Sequence, residues 1–165
     1  MLQTKGSQLQ VRVSLREKKE IQRRARAAGA SVSAWVLRQL LPDVAQGFQD
    51  LVKELHRETT DPSYALAALG DFLTKLPAND FPLAVAEGPV VALSPFSHAY
   101  LSALVEHCAA VKHVAVPHWV LKSEALSIPY FASELRSLRL YLLTHSPPAF
   151  RRRNLFVDAS ATERI

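Results

Sequence analysis

From Gln8 to Ser14 the sequence QLQVRVS alternates strictly, with Leu9, Val11 and Val13 on one side and Gln8, Gln10 and Arg12 on the other. Period two is the mark of a half-buried strand. Ser14 and Glu17 then form a capping box, hydroxyl and carboxylate each satisfying a backbone N–H at a helix start. The helix that follows, LREKKEIQRRARAA, offers Leu15, Ile21, Ala25 and Ala28 as a narrow apolar stripe, and Gly29 supplies the left-handed residue that commonly ends helices. Ser31 can cap a second helix, in which Val32, Trp35, Val36, Leu40 and Leu41 recur at helical spacing until Pro42. One strand with two short helices can neither pair its own edge nor close a core. The expectation is a twofold dimer in which the strands of two chains pair antiparallel and Leu9, Val11, Val13, Ile21, Val36 and Leu40 build a shared interior.

Charge is concentrated in the same stretch. Up to Pro42 there are nine Lys or Arg against Glu17 and Glu20, a net +7, whereas the rest of the chain carries eleven against thirteen, a net −2. A basic head on a nearly neutral body is the electrostatic footprint of a nucleic-acid-binding arm. In a paired ribbon, the face opposite the core presents Gln8, Gln10 and Arg12 twice. Gln reads adenine and Arg reads guanine bidentately, and a two-stranded ribbon fits the major groove. Two other readings of these residues are a ribbon used only for dimerisation and a helical hairpin.

The stretch from Gln8 to Leu41 resembles the ribbon-helix-helix repressors and antitoxins of the Arc and MetJ type. It does so through the strand with alternating polar residues, the following helix, and the turn Gly29-Ala30-Ser31-Val32-Ser33 before a second apolar helix. The resemblance implies that Gln8, Gln10 and Arg12 read bases and that backbone amides at Ser31, Val32 and Ser33 grip a phosphate. A helix N-terminus favours an anion there on physical grounds alone. Lys18 and Lys19 are expected to add phosphate contacts. Trp35 is larger than the residue often found at that point.

Domains are expected at 1–42, a ribbon-helix-helix (β-α-α) intertwined dimer, and 43–165, a mainly helical partner-binding domain, so the fold class is mainly α. In the body, Val44, Phe48, Leu51, Val52 and Leu55 lie on one helical face. Asp61 and Pro62 open a second helix with Leu66, Leu69, Phe72, Leu73 and Leu76 as its stripe. A short helical piece is expected near Phe81 to Glu87, and a third long helix from about Ser97 to Lys112 with Tyr100, Leu101, Leu104 and Val105 inward. Beyond Pro117 and Pro129 helices are favoured over strands, with Leu138 to Leu143 ambiguous and Leu155-Phe156-Val157 strand-like.

Near the end, SPPAFRRRNLFVDA carries Phe150 as an anchor and three consecutive arginines. Arg151, Arg152 and Arg153 point in different directions in any local structure. The two readings are a solvated turn in which one arginine pairs with Glu134 or Asp158, and a contact for an anion or acidic partner. His118-Trp119 and the stretch from Ser146 to Val157 also resemble the ending of a set of bacterial regulators and presumed antitoxins. That likeness implies a nucleotidyltransferase-like toxin as a protein partner, although the head usual in that set is a helix-turn-helix.

No stretch reaches the roughly 18 apolar residues of a bilayer-spanning helix, and MLQTKGSQLQ lacks the apolar core of a signal peptide, so the expectation is a soluble cytoplasmic protein without membrane contact. His107, Cys108, His113 and His118 lie close in sequence but lack metal-ligand spacing. There is no glycine-rich nucleotide loop and no GxSxG. With no nominated nucleophile, base or metal, the chain is expected to be a non-enzyme without cofactor. The function these readings favour is a DNA-binding antitoxin and repressor that binds operator DNA, itself and a toxin; the alternative is a ribbon-helix-helix accessory protein of plasmid mobilisation.

Overall fold

The computed structural model describes residues 10–33, 35, 36, 43–58 and 60–158. The chain divides into two compact units, Met1–Pro42 and Asp43–Ile165.

In the first unit, helix α1 spans Leu15–Ala27 and begins at the expected capping box. The Ser14 amide donates to Glu17 Oε2 at 2.7 Å and the Glu17 amide donates to Ser14 Oγ at 3.3 Å. Its other end is a Schellman turn: the Gly29 amide donates to the Arg26 carbonyl and the Ala30 amide to the Ala25 carbonyl, both at 3.0 Å, with Gly29 at φ +61°. The expected apolar stripe is shorter than its sequence pattern. Ala25 is buried and Ile21 half-buried, but Leu15 is 79 % exposed. Ile21 follows Leu15 by six residues, about a third of a turn off the same face at 3.6 residues per turn. Residues 10–14 belong to no ladder, and Gln8, Leu9, Leu40 and Leu41 lie outside the described residues. After Gly29, Val32, Ser33, Trp35 and Val36 are helical, with the Trp35 amide donating to the Ser31 carbonyl at 2.9 Å.

The second unit is mainly helical. Helices α2 (Val44–Arg57), α3 (Ser63–Lys75), α4 (Phe81–Ala84), α5 (Pro95–Val111) and α6 (His118–Leu121) are followed by strand β1 (Tyr130–Phe131), helices α7 (Arg139–His145) and α8 (Pro148–Arg151), and strand β2 (Leu155–Phe156). Side chains start the long helices: Asp43 accepts from the Gln46 amide, Asp61 from the Ser63 amide, and Ser94 from the Ser97 amide. The core joins Phe48, Val52 and Leu55 of α2 to Leu69 and Leu73 of α3, Phe81 of α4, Leu101 and Val105 of α5, Val120, Phe150 and Leu155. Tyr100 is only half-buried, on the flank of α5. Trp119 lies over Gly88, where an added Cβ would meet its ring at 3.1 Å, and its indole donates to the Val85 carbonyl.

One feature corrects the sequence reading and another resolves a point it left open. Tyr130–Phe131 is a strand rather than part of a helix, paired parallel with Leu155–Phe156. Its partner is distant in sequence, so local periodicity carries no sign of it. Of the ambiguous 138–143 segment, Arg139 to Leu143 lie in α7 and Leu138 is its N-cap. No helix among the described residues is long and apolar enough to cross a membrane.

Candidate nucleic-acid interface

Helix α1 carries six basic side chains, which separate into two groups. Arg23 and Arg24 share the Glu20 carboxylate at 2.7 and 2.8 Å. Hydrogen bonds from Arg23 and Arg24 hold the Glu20 carboxyl down at about 2. The Glu17 carboxyl is also lowered, by its bonds from the Ser14 backbone and hydroxyl. These two acids serve the helix itself. Arg16, Lys18, Lys19 and Arg26, with Arg12 just before the helix, make no ion pair among the described residues and are exposed. That leaves a surface of solvated cations, suited to phosphate.

Gln10 and Arg12 are exposed. Val11 and Val13 are themselves 67 % and 44 % exposed, although they are the apolar half of the pattern. An open cavity of 430 Å³ continues this apolar surface, lined by Val13, Ile21 and Trp35 and rimmed by Arg16, Glu17, Glu20 and Arg24. Ser31, Val32 and Ser33 are exposed at the start of the second helix. Trp35 thus belongs to the head's own apolar surface.

The arginine run lies elsewhere and corrects its expected role. Arg153 is 4 % exposed. Its Nη1 donates to Glu106 Oε2 at 2.6 Å and to the Ala149 carbonyl at 2.8 Å, and Nη2 donates to the Val120 carbonyl at 2.8 Å. Arg152 Nη2 reaches the other Glu106 oxygen at 2.8 Å. Arg153 therefore locks α5, α6 and α8 together and is closed to any outside anion, and the pairing acid is neither Glu134 nor Asp158. Arg151 is exposed and makes no ion pair among the described residues.

Sequence reasoning missed Glu106, although a signal was present. It is the one acid in a 17-residue helix otherwise built of small and apolar residues with two histidines. Cys108 is buried, and burial raises its thiol above the ordinary range. Among the described residues no group of three His, Cys, Asp or Glu is placed to hold a metal.

A family model described as NikA-like, mobilization protein NikA, matches residues 3–58, about a third of the chain. The match supports a ribbon-helix-helix type of head. The NikA-like family is DNA-binding and non-enzymatic. No curated protein and no solved structure matches.

Proposed function

We propose that the chain is a dimeric ribbon-helix-helix DNA-binding accessory protein of plasmid mobilisation, with Met1–Pro42 as its DNA-binding and dimerisation module. The observation that carries this reading is the mobilisation-family match over a head whose exposed cations lie beside an open apolar face. Two chains pair their strands, cover Val11, Val13 and Ile21, and present Gln8, Gln10 and Arg12 to the major groove. Amides at Ser31, Val32 and Ser33 take one phosphate, while Lys18 and Lys19 take others. The body, Asp43–Ile165, is the partner-binding half.

Selection of bound duplexes from a random pool, followed by anisotropy titration at several salt concentrations, tests this reading. Arg12→Ala is expected to relax sequence preference. Replacing Lys18 or Lys19 is expected to weaken all duplexes alike and lower the salt slope by about one each. Affinity independent of salt, or no affinity, sinks the proposal.

The antitoxin reading keeps one support, the likeness of the Ser146 to Val157 tail. The inward use of Phe150 and Arg153 gives that tail a structural role sufficient to account for its residues. A toxin gene beside this one, in place of a relaxase gene, would favour it.

A further inference from the structure

The second unit contains an open cavity of 1140 Å³ between α3 and α5. Its floor is apolar, with Leu66 and Ala67 of α3 and Leu104 of α5. One wall is aromatic: Phe96 packs on Tyr130 at 4.7 Å and on Tyr100 at 5.8 Å between ring centroids. Charge in the lining has one sign. Glu58, Asp61, Asp71 and Asp158 contribute to it, and among the described residues no Lys or Arg does. Asp71 leans on Lys75, one turn further along α3, and Asp61, one residue before the N-cap Pro62, accepts from the Ser63 amide, so both carboxylates are held at the groove by α3.

Each property narrows the occupant. The groove is open along its length and has room for more than a drug-sized molecule, which suits a length of polypeptide. The carboxylates repel nucleic acid, whose backbone is anionic. The apolar floor and aromatic wall suit aliphatic side chains, and tyrosine faces also attract cations. We propose that the α3–α5 groove is a docking site for a basic, apolar segment of a partner protein. Aliphatic side chains of that segment lie on Leu66, Ala67 and Leu104, and its Lys or Arg side chains reach Asp61 and Asp71. This proposal goes beyond the DNA-binding reading and does not rest on it.

The test uses the full chain and two fluorescent peptides, one of repeated Leu-Leu-Arg triplets and one with Glu in place of Arg. The cationic peptide is expected to bind and the anionic one to fail, with affinity falling as salt is added. Asp61→Asn with Asp71→Asn keeps shape and capping oxygen while removing charge, and is expected to weaken binding about fivefold. Ala67→Trp, at an exposed position of α3, fills the groove and is expected to remove measurable binding. Both variants should leave duplex DNA affinity unchanged, which separates this proposal from the function of the head. Equal binding of the two peptides, no binding of either, or cationic binding untouched by both variants overturns it. So does a change of self-association mass in Ala67→Trp, which would make the groove an interface between copies.

Discussion

At the scale of single residues, the Glu106–Arg153 pair shows how a charge can be used as an internal fastener. Both groups are buried, and the guanidinium also satisfies two carbonyls. Removing the acid leaves a desolvated cation, which costs about 3–5 kcal/mol, more than the pair gains over an apolar replacement. Glu106→Gln is therefore expected to lower the unfolding free energy, read by denaturant titration, by that order, while Glu106→Leu with Arg153→Met recovers much of the loss. A loss of unfolding free energy under about 1 kcal/mol for Glu106→Gln would show the pair to be water-accessible. The three arginines were legible as a feature, but not the one turned inward. The partner stands 47 positions away, and sequence proximity pointed to Glu134 and Asp158 instead. Cys108 gives a second check at this scale. Its thiol is buried and raised, so alkylation at mildly alkaline pH is expected to be slow in the native chain and fast in denaturant.

At the scale of elements, α1 was the most legible, because its boundaries are set by local chemistry. Ser14 with Glu17 at one end and Gly29 at the other act over three to five residues, within the reach of pattern reading. Leu15 misled because apolar character was taken for membership of the stripe without its angle. Strand β1 was illegible because its cause is a ladder with Leu155–Phe156, closed by bonds from the Tyr130 amide to the Asn154 carbonyl and from the Ala132 amide to the Phe156 carbonyl. The acids of α1 imply a pH dependence with a definite sign. Glu20 falls from 4.5 to about 2 in the folded chain, and Glu17 is lowered too. A depressed folded value means that their support for α1 is complete above the unfolded value and is lost as pH falls towards the folded one. Protection of the α1 amides, taken relative to their intrinsic exchange rate at each pH, should fall between about pH 4.5 and 2, and Glu20→Gln should remove most of that change. Gly29→Ala is expected to cost about 1–2 kcal/mol, since nothing crowds the position and the penalty is the left-handed backbone alone.

At the scale of the whole molecule, the two units place different demands on assembly. Among the described residues the core of the body is drawn from residues after Asp43, so the stability of that unit has a basis within one chain. The head buries Ala25 but leaves Val11, Val13 and the Val13–Ile21–Trp35 cavity open, so its apolar surface calls for a second copy. The proposed dimer rests on the same residue pattern: alternating residues with no strand of their own chain to pair with, and an apolar face that the described residues leave open. The body groove was not legible in the sequence, because its two long helices meet only through tertiary packing. Ile21→Glu distinguishes the demands. A carboxylate in the cavity joins Glu17 and Glu20 on the same helix, and in a dimer it would be carried into the apolar contact with Val13 and Trp35, where desolvation outweighs what the rim arginines Arg16 and Arg24 return. Sedimentation is expected to show the variant as a monomer at concentrations where the parent is a dimer. DNA affinity should drop steeply, because one set of readers replaces two linked sets and the linkage itself supplies affinity. The body should melt at an unchanged temperature. A variant that stays dimeric and binds DNA as before would move the contact between copies away from the head, and with it the twofold arrangement of Gln10 and Arg12.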